Sequence, residues 1–579
     1  MEHSPRKGMS MTPPKLATYP EYCDLVMKGG ITSGVVYPAA VYSLHDKHKF
    51  RSIGGASAGA IAAAATAAAE LGRDAGGFEK LNGLSTELTR DGFLQSLFQP
   101  AKPMRASFDL LFALQRKKGR VQKAGLVLST LLRRFFGWGV VAVGVTVGYL
   151  GLMVTRFDGA LSRGDWIAWA LLILPLLIAL GMGVVAGLAV RLVKIGTQHL
   201  PDNKFGMCSG MPTGKGDALT PWLHEKIQDC AGRDVNEPVT FADLKEGEIT
   251  LQMMTTDLAE ASPLRLPLEP GRDYLFSLEE FAELFPEPVI SHLREVCPVE
   301  AAADDEHPEL RRFPRGDLPI IVATRMSLSF PVLLSAVPLW TERNRVYVKH
   351  WLSDGGIGSN FPIHFFDAWL PTRPTFGLNF ISDSSPAASN PDEISYGHRT
   401  GGRVKIDKLF TFLHQILETM QNWRDKVQGE LPGFRDRIQD IPLGPEEGGM
   451  NLTMDPVTVQ RLVRKGHRAG EVLQEGFAKE WHDHRLRRYQ SLMHQLQINI
   501  MGEEGKGPGM RRVYTETGVR GDVMAAKNQA LPKDWGPMAA SETEELFECA
   551  GDWGPDGTID FITERPLKPP RVMRVTPDI

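Results

Sequence analysis

The chain has 579 residues, with 65 basic and 69 acidic side chains, a net charge of −4 and 42% hydrophobic residues. This length allows two or more domains, and the near-neutral charge argues against a nucleic-acid partner. The five cysteines are widely spaced without a C-x-x-C pair, which is typical of a reducing compartment. Residues 1–20 are polar and proline-containing without an apolar run, so they predict a disordered N-terminus and no secretory signal.

The first predicted elements are a strand over residues 21–27 and a glycine-rich loop over residues 28–34. Such a loop after a strand exposes backbone N–H groups, which bind a phosphate or the oxyanion of a tetrahedral intermediate. The loop lacks both the G-x-G-x-x-G pattern and the Lys-Ser/Thr pair of nucleotide loops. By itself it is weak support for either ligand.

The most informative motif is G-A-S-A-G, from Gly55 to Gly59, between an apolar strand and an alanine-rich helix over residues 61–71. A sharp strand-to-helix turn with Ser57 at its tip is a nucleophile elbow, where glycine at positions 55 and 59 avoids Cβ clashes. The helix N-terminus behind the serine suits an anionic intermediate. The motif predicts a serine acyl hydrolase, with a tight turn before a packed helix as the alternative.

Two long uncharged runs follow, at residues 135–154 and 166–190. At 1.5 Å per residue each reaches the ~30 Å of a hydrocarbon core. They predict a transmembrane hairpin within residues 126–199. The alternative is a pair of buried helices or a re-entrant element in a large domain.

The flanks and faces of this hairpin predict its orientation and contacts. Basic residues at 133–134 and at 191 and 194 flank its outer ends, which places those ends and the catalytic domain in the cytoplasm. G-x-x-x-G patterns at 144–148 and 183–187 could join the two helices to each other or to another subunit in a homo-oligomer. The sequence leaves both pairings open.

A second candidate catalytic group lies far downstream. Asp354 ends an apolar stretch and precedes Gly355 and Gly356. The two glycines let the backbone turn so that the carboxylate can reach a neighbouring strand end. The alternative is an ordinary Asp-Gly turn, which is the commoner meaning of that dipeptide.

Together, the glycine-rich loop, the G-A-S-A-G elbow and the later D-G-G resemble, in this order, the patatin-like phospholipase family. Residues 249–258 are similar to the central strand of that family, and residues 323–331 to the segment before its catalytic aspartate. Asn360 and Pro362 match the Asn and Pro that often follow its D-G-G. The combined motifs are specific, although none of them is so alone.

The resemblance implies a Ser-Asp dyad without a histidine, and the sequence predicts no cofactor and no metal site. Asp354 would take the proton of Ser57, which attacks an ester carbonyl, and water would release the acyl-enzyme. An aspartate with the ordinary pKa of about 3.9 is a poor base at neutral pH, so we expect a desolvated site. The alternative is a Ser-His-Asp hydrolase; His350 and His364 lie nearest to Asp354 in sequence, but neither stands in a motif.

The resemblance also implies an oxyanion hole made of backbone amides from the loop and the elbow. The candidate residues are Gly29, Gly30, Ile31, Gly34 and Ala58. The loop departs from the family pattern, because Ile31 replaces its third glycine and Ser33 its basic residue. The oxyanion contacts of the family come from backbone N–H groups, which both side-chain changes leave in place.

Two further regions carry no motif with its own chemistry. Residues 200–245 are polar and rich in glycine and proline, and within them residues 206–216 predict a loop. Beyond residue 381 the pattern predicts a helix over 404–426, a strand pair over 435–452 and two amphipathic helices over 457–477 and 479–500.

The predicted architecture is a three-layer α/β/α patatin-like domain with an inserted transmembrane hairpin and a mainly helical C-terminal extension. The predicted function is a phospholipase A-type lipid acyl hydrolase that cleaves membrane phospholipids, as a multi-pass protein of a bacterial inner membrane. A hydrolase of other acyl esters and a non-enzymatic membrane module are the alternatives. The predicted segments are a disordered N-terminus (1–20), the first catalytic part (21–125), the hairpin (126–199), the second catalytic part (200–385), the extension (386–500) and a partly ordered tail (501–579).

Overall fold

The computed structural model describes most of the chain outside its N-terminus, the hairpin region and the C-terminal end. The described residues are 19–105 except 31, 107–109, isolated positions between 144 and 191, 193–383 except 306, 385–398, 406, 409–449 except 432 and 445, 451–503, 507–525, 534–551 and 553. The predicted disordered N-terminus therefore lies almost wholly outside the described residues.

Strands and helices alternate through the first part of the chain and helices dominate the last part. The strands are β1 Tyr22–Met27, β2 Lys49–Ala56, β3 Gly206–Cys208, β4 Thr250–Asp257, β5 Ser262–Leu266, β6 Leu275–Phe276, β7 Val299–Ala301, β8 Leu310–Arg312, β9 Val332–Leu334, β10 Val337–Arg343, β11 Val346–Ser353, β12 Thr375–Ser382, β13 Ile438–Leu443, β14 Gly502–Glu503 and β15 Gly507–Pro508. The α-helices are α1 Tyr37–His45, α2 Ala58–Leu71, α3 Gly77–Leu88, α4 Phe93–Ser96, α5 Leu200–Asp202, α6 Leu219–Ala231, α7 Phe241–Glu246, α8 Leu278–Ala282, α9 Glu287–Val296, α10 Ile320–Ser327, α11 Leu409–Gly429, α12 Pro456–Met501, α13 Met510–Glu516, α14 Val519–Met524 and α15 Trp535–Cys549.

A central mixed sheet confirms the predicted α/β fold. Its strand order is β13-β12-β1-β2-β4-β11-β10-β6-β8-β7, and β5 pairs with β4 off this path. The strands from β13 to β4 are parallel, whereas β11 runs antiparallel to β4. Functional groups of parallel sheets gather at the carboxyl ends of the strands, and here Met27, the last residue of β1, lies beside Gly55, one residue before the end of β2. The division of the helices between the two faces of the sheet stays a prediction.

The alanine-rich helix α2 packs tightly against this sheet. Its sequence offers small side chains on nearly every face, and its residues are buried except for a few near its ends. Small side chains let a helix approach its neighbours closely, so α2 is held firmly behind the turn that precedes it. The serine at that turn therefore has a rigid support.

The C-terminal extension differs from its prediction in two places. The two helices predicted over 457–477 and 479–500 form one helix, α12, because buried positions recur every three or four residues without a glycine or proline break at residue 478. The strand pair predicted over 435–452 is a single strand, β13, which becomes the edge of the central sheet beside β12. The extension is thus continuous with the catalytic sheet.

Helix α12 packs closely on α1 through two glycines. A Cβ added to Gly466 would overlap the carbonyl oxygen of Val36, and one added to Gly470 would overlap that of Ala40. The loop predicted over residues 206–216 begins with the short strand β3 and is irregular from residue 209 to residue 216. The tail after residue 501 contains the short helices α13 to α15 among its described residues.

The predicted hairpin lies almost entirely outside the described residues. Only isolated positions of the runs 135–154 and 166–190 belong to the described part of the chain. Within that part, every helix is too short or too polar to cross a bilayer.

Candidate active site

Ser57 lies at the tip of a strained turn between β2 and α2. Strand β2 ends at Ala56, α2 begins at Ala58, and Ser57 between them has φ 55° and ψ −130°. A non-glycine residue with positive φ costs free energy and persists only where the surrounding structure holds it. Here the backbone N–H of Ser57 donates to the hydroxyl of Ser327 at 3.1 Å. The turn has the geometry of a nucleophile elbow.

The two motif glycines meet the steric requirement that the sequence predicted. A Cβ on Gly55 would overlap the carbonyl group of Gly59, and a Cβ on Gly59 would overlap the carbonyl oxygen of Met27. Both overlaps involve backbone atoms, which have no rotamer that could relieve them. Glycine at these positions therefore lets the elbow form against the end of β1.

Asp354 follows β11 and caps the short 3-10 helix Gly355–Ile357. Its Oδ2 accepts the N–H of Gly356 at 2.8 Å, and its own N–H donates to the carbonyl oxygen of Ser329 at 3.0 Å. Its side chain is 3% exposed, and Oδ1 has no hydrogen-bond partner among the described residues. One carboxylate oxygen is thus fixed, and the other is left as an acceptor.

Burial raises the pKa of Asp354 to about 7, against smaller opposing effects of the Ser57 hydroxyl and the Gly356 N–H group. The Ser57 hydroxyl therefore lies near the carboxylate, although no hydrogen bond of ordinary length joins the two side chains. A base with a pKa near the working pH is best suited to accept and return a proton. The desolvation that an aspartate base requires is present at this site.

The glycine-rich loop lies directly against Ser57. A Cβ on Gly29 would be 2.9 Å from the Cβ of Ser57. The N–H of Gly29, however, donates to the carbonyl oxygen of Asn360 at 2.8 Å, and that of Gly34 to the carbonyl oxygen of Gly30 at 3.2 Å. These two amides are already engaged.

Of the four predicted oxyanion donors that the structure describes, two keep a backbone N–H group without an acceptor there. Within the described residues, the backbone N–H groups of Gly30 and Ala58 have no acceptor. Ala58 is the first residue of α2, where N–H groups lack intrahelical partners and carry partial positive charge. Ile31 lies outside the described residues. The geometry therefore favours Gly30 and Ala58 as donors to an oxyanion.

Comparison with known proteins agrees with this site. A model of the patatin-like phospholipase family matches residues 25–146, which include the glycine-rich loop and Ser57. The "RpoH suppressor" of Rhizobium meliloti (strain 1021) is 32% identical over 587 aligned positions, covering 86% of this chain and 89% of that protein. The chain belongs to the family of this RpoH suppressor and carries a patatin-like phospholipase domain. At family level the domain indicates a lipid acyl hydrolase.

Solved structures give weaker likenesses to this patatin-like chain. VipD from Legionella pneumophila is 13% identical, with 92% of this chain and 86% of VipD covered and a TM-score of 0.29. A chain of the ExoU-SpcU complex from the type III secretion system of Pseudomonas aeruginosa is 15% identical, with 79% and 52% covered and a TM-score of 0.21. TM-scores this low support no conclusion about fold or activity.

The histidines nearest to Asp354 in sequence do not bond to this candidate dyad. His350 pairs instead with Asp257 at 2.7 Å and with the hydroxyl of Thr341 at 2.8 Å. His364 packs edge-on against the ring of Phe365. Within the described residues, neither Ser57 nor Asp354 has a hydrogen bond to a histidine, so the geometry favours the dyad over the Ser-His-Asp alternative.

Sequence reasoning missed the roles of three residues that support the patatin-like site. Ser327 holds the N–H of Ser57 from the end of α10, within a segment identified only by its family resemblance. Asn360 contacts the glycine-rich loop, although its match to the family pattern predicted no such contact. Asp425 of α11 binds the loop that contains Asn360. A lone carboxylate in an amphipathic helix carries no sequence signal for such a contact.

Among the described residues, the structure contains no group of three histidine, cysteine or acidic side chains arranged to hold a metal ion. The expectation of metal-free and cofactor-free chemistry stays a prediction.

Proposed function

We propose that this protein is a phospholipase A-type lipid acyl hydrolase acting through Ser57 and Asp354. The observation that carries the proposal is the strained elbow serine beside a buried aspartate whose pKa is raised to about 7. An ionised Asp354 at or above neutral pH can take the hydroxyl proton as Ser57 attacks, so no histidine is required.

The proposed reaction proceeds through an acyl-enzyme. Ser57 Oγ attacks the ester carbonyl carbon while its proton passes to Asp354, and the Gly30 and Ala58 N–H groups stabilise the oxyanion. The carbon–oxygen bond of the ester breaks, and the alcohol leaves with the proton from Asp354. Water then gives a proton to Asp354 and attacks the acyl carbon. The bond between that carbon and Ser57 Oγ breaks, Asp354 returns the proton to Oγ, and the fatty acid is released.

A substrate panel tests this proposal. We expect the purified full chain to release fatty acid from vesicles of phosphatidylethanolamine and phosphatidylglycerol with a higher kcat/KM than from lysophospholipid micelles, triglyceride emulsions or p-nitrophenyl butyrate. Turnover of short soluble esters alone would contradict a lipid substrate. A folded protein without turnover of any acyl substrate would favour a non-enzymatic membrane module.

The proposal includes a membrane anchor formed by the hairpin of residues 126–199. Its support is sequence alone: two uncharged runs of bilayer length with basic outer flanks, which favour a bacterial inner-membrane protein with a cytoplasmic catalytic domain. Anchoring would keep the site at a surface where lipid is concentrated.

We expect the full chain to stay in the membrane pellet after alkaline carbonate extraction. A variant in which a short glycine-serine linker replaces residues 126–199 should be released, and it serves as the matched control. Release of the full chain by carbonate would contradict the anchor without touching the catalytic proposal.

A further inference from the structure

The loop that follows the D-G-G turn is held by a carboxylate from the C-terminal extension. Asp425 lies on α11, and its Oδ1 accepts the hydroxyl of Ser359 at 2.8 Å. Its Oδ2 accepts the backbone N–H groups of Asn360 at 2.7 Å and Phe361 at 2.8 Å. The side chain is 5% exposed. Three donors thus converge on one buried carboxylate.

The pKa of Asp425 is raised on balance, because burial outweighs the polar contacts that act to lower it. Burial raises the pKa of Asp425, whereas the three donors and the nearby Lys28 ammonium act to lower it. Lys28 begins the glycine-rich loop that lies against Ser57. A buried carboxylate is tolerated when hydrogen bonds and an opposite charge compensate its desolvation. Its removal would leave those donors without a partner.

Asn360 connects this carboxylate to both halves of the candidate site. Its carbonyl oxygen accepts the N–H of Gly29, and its side-chain Oδ1 fills the space beside the Cα atoms of Gly29 and Gly356. Its Nδ2 donates at 3.3 Å to Asn422, one turn before Asp425 on α11. Movement of Asn360 would therefore displace both the glycine-rich loop and the turn after Asp354.

A second hydrogen bond joins the C-terminal extension to the glycine-rich loop. The hydroxyl of Thr32 donates to the carbonyl oxygen of Gly449 at 3.1 Å. Gly449 follows a turn that is held by Glu447, which pairs with Lys465 and Arg461 of α12. The loop that presents Gly30 is thus bonded directly to Gly449 through Thr32, and it is linked to Asp425 through Asn360.

We propose that Asp425 is a positioning residue of the active site, which fixes Asn360 and, through it, the oxyanion loop and the turn of Asp354. Helix α11 of the C-terminal extension then holds the site in place, although its sequence carries no catalytic motif. This inference rests on the proposed function, because it assigns Asp425 a role in the geometry of the same dyad.

The test compares Asp425→Ala and Asp425→Asn in the full chain, with p-nitrophenyl butyrate as a soluble substrate that avoids interfacial kinetics. We expect Asp425→Ala to lower kcat at least tenfold with KM within threefold, because the variant displaces the oxyanion donors and the turn of Asp354, which act on the reacting ester group. The amide of the Asp425→Asn variant would still offer one oxygen to the two backbone N–H groups, so this variant should retain at least a third of kcat.

A pH profile separates positioning from a general loss of stability. In Asp425→Ala the loop that contains Asn360 should loosen and admit water to Asp354, which lowers the pKa of that carboxyl. The midpoint of the pH dependence of kcat/KM should therefore lie at least one pH unit below the wild-type value. The matched control is Asp436→Ala, which removes another buried carboxylate of the extension that pairs with Arg487 and His484. The control should keep kcat within twofold and the midpoint unchanged.

The result that overturns the inference is a folded Asp425→Ala protein with wild-type kcat and midpoint, or an equal loss in Asp436→Ala. If Asp425→Ala does not fold, Ser359→Ala replaces it, because this variant deletes only one of the three donors to Asp425. Ser359→Ala should lower kcat three- to tenfold, and an unchanged kcat overturns the inference.

Ser57→Ala is measured in the same assay, to separate this inference from the proposed function. If Ser57→Ala is inactive and Asp425→Ala fully active, only the inference fails; if Ser57→Ala is fully active, the proposed function fails.

Discussion

Replacing Ser57 with alanine is expected to lower fatty-acid release from phospholipid vesicles by at least about a thousandfold, because the acyl-enzyme cannot form without the nucleophile. The loss should not come from unfolding. The Ser57 hydroxyl forms no hydrogen bond of ordinary length within the described residues, and the backbone N–H that donates to Ser327 is retained in the variant. We therefore expect the free energy of unfolding to change by less than about 1 kcal/mol.

The matched control is Ser52→Ala. Ser52 is a buried serine on the same strand, β2, and its hydroxyl accepts from Arg373 at a distance from the elbow. Fatty-acid release by this variant should stay within threefold of wild type, with thermal melts recorded for both proteins. Wild-type release by a folded Ser57→Ala protein would remove Ser57 from the mechanism and, with it, the proposed dyad.

The sequence predicts those parts of the candidate site whose geometry depends on neighbouring residues in the chain. The elbow depends on five consecutive residues, and the clashes that exclude a Cβ at Gly55 and Gly59 involve backbone atoms of the same turn or the adjoining strand. A short motif can therefore predict it. Asp354 lies 297 positions beyond Ser57 (354 − 57) and was identified only because the order of three motifs resembled a family.

The contacts that sequence did not predict are those formed between distant segments. The sequence predicts Gly29 as an oxyanion donor, but it does not predict the hydrogen bond from the Gly29 N–H to the carbonyl oxygen of Asn360. Asp425 stands in a helix whose pattern predicts only an amphipathic face, and its partners lie 64 to 66 positions away. Hydrophobic periodicity reports which face of a helix is buried, but it does not report which polar group that face meets.

Replacing Asp354 with asparagine is expected to abolish activity and to stabilise the protein. Asparagine cannot take the proton of Ser57, so kcat/KM should again fall at least about a thousandfold. The folded pKa of about 7 exceeds the unfolded pKa of about 3.9, so the folded protein binds more protons in this window. The stability of the wild type therefore falls as pH rises from about 4 to about 7.

Asparagine has no charge to bury, so the variant avoids this loss. The raised pKa of Asp354 corresponds to an unfolding free energy that is about 4 kcal/mol higher in Asp354→Asn than in the wild type at pH 8. At pH 5 the difference should be less than half as large. Chemical or thermal unfolding in one detergent at both pH values measures it. The Gly356 N–H keeps an acceptor in the amide oxygen, so the turn should be retained.

Asp436→Asn provides a control of opposite sign. The pKa of Asp436 is lowered to about 2 even though burial acts to raise it, because His484 and Arg487 favour the carboxylate. Its charge therefore stabilises the fold above pH 4, and Asp436→Asn should destabilise the protein at pH 8. If Asp354→Asn is also destabilising at pH 8, or if its gain is equal at pH 5 and pH 8, then burial does not raise the pKa of Asp354. A histidine-free dyad would then lose the base that it requires at neutral pH.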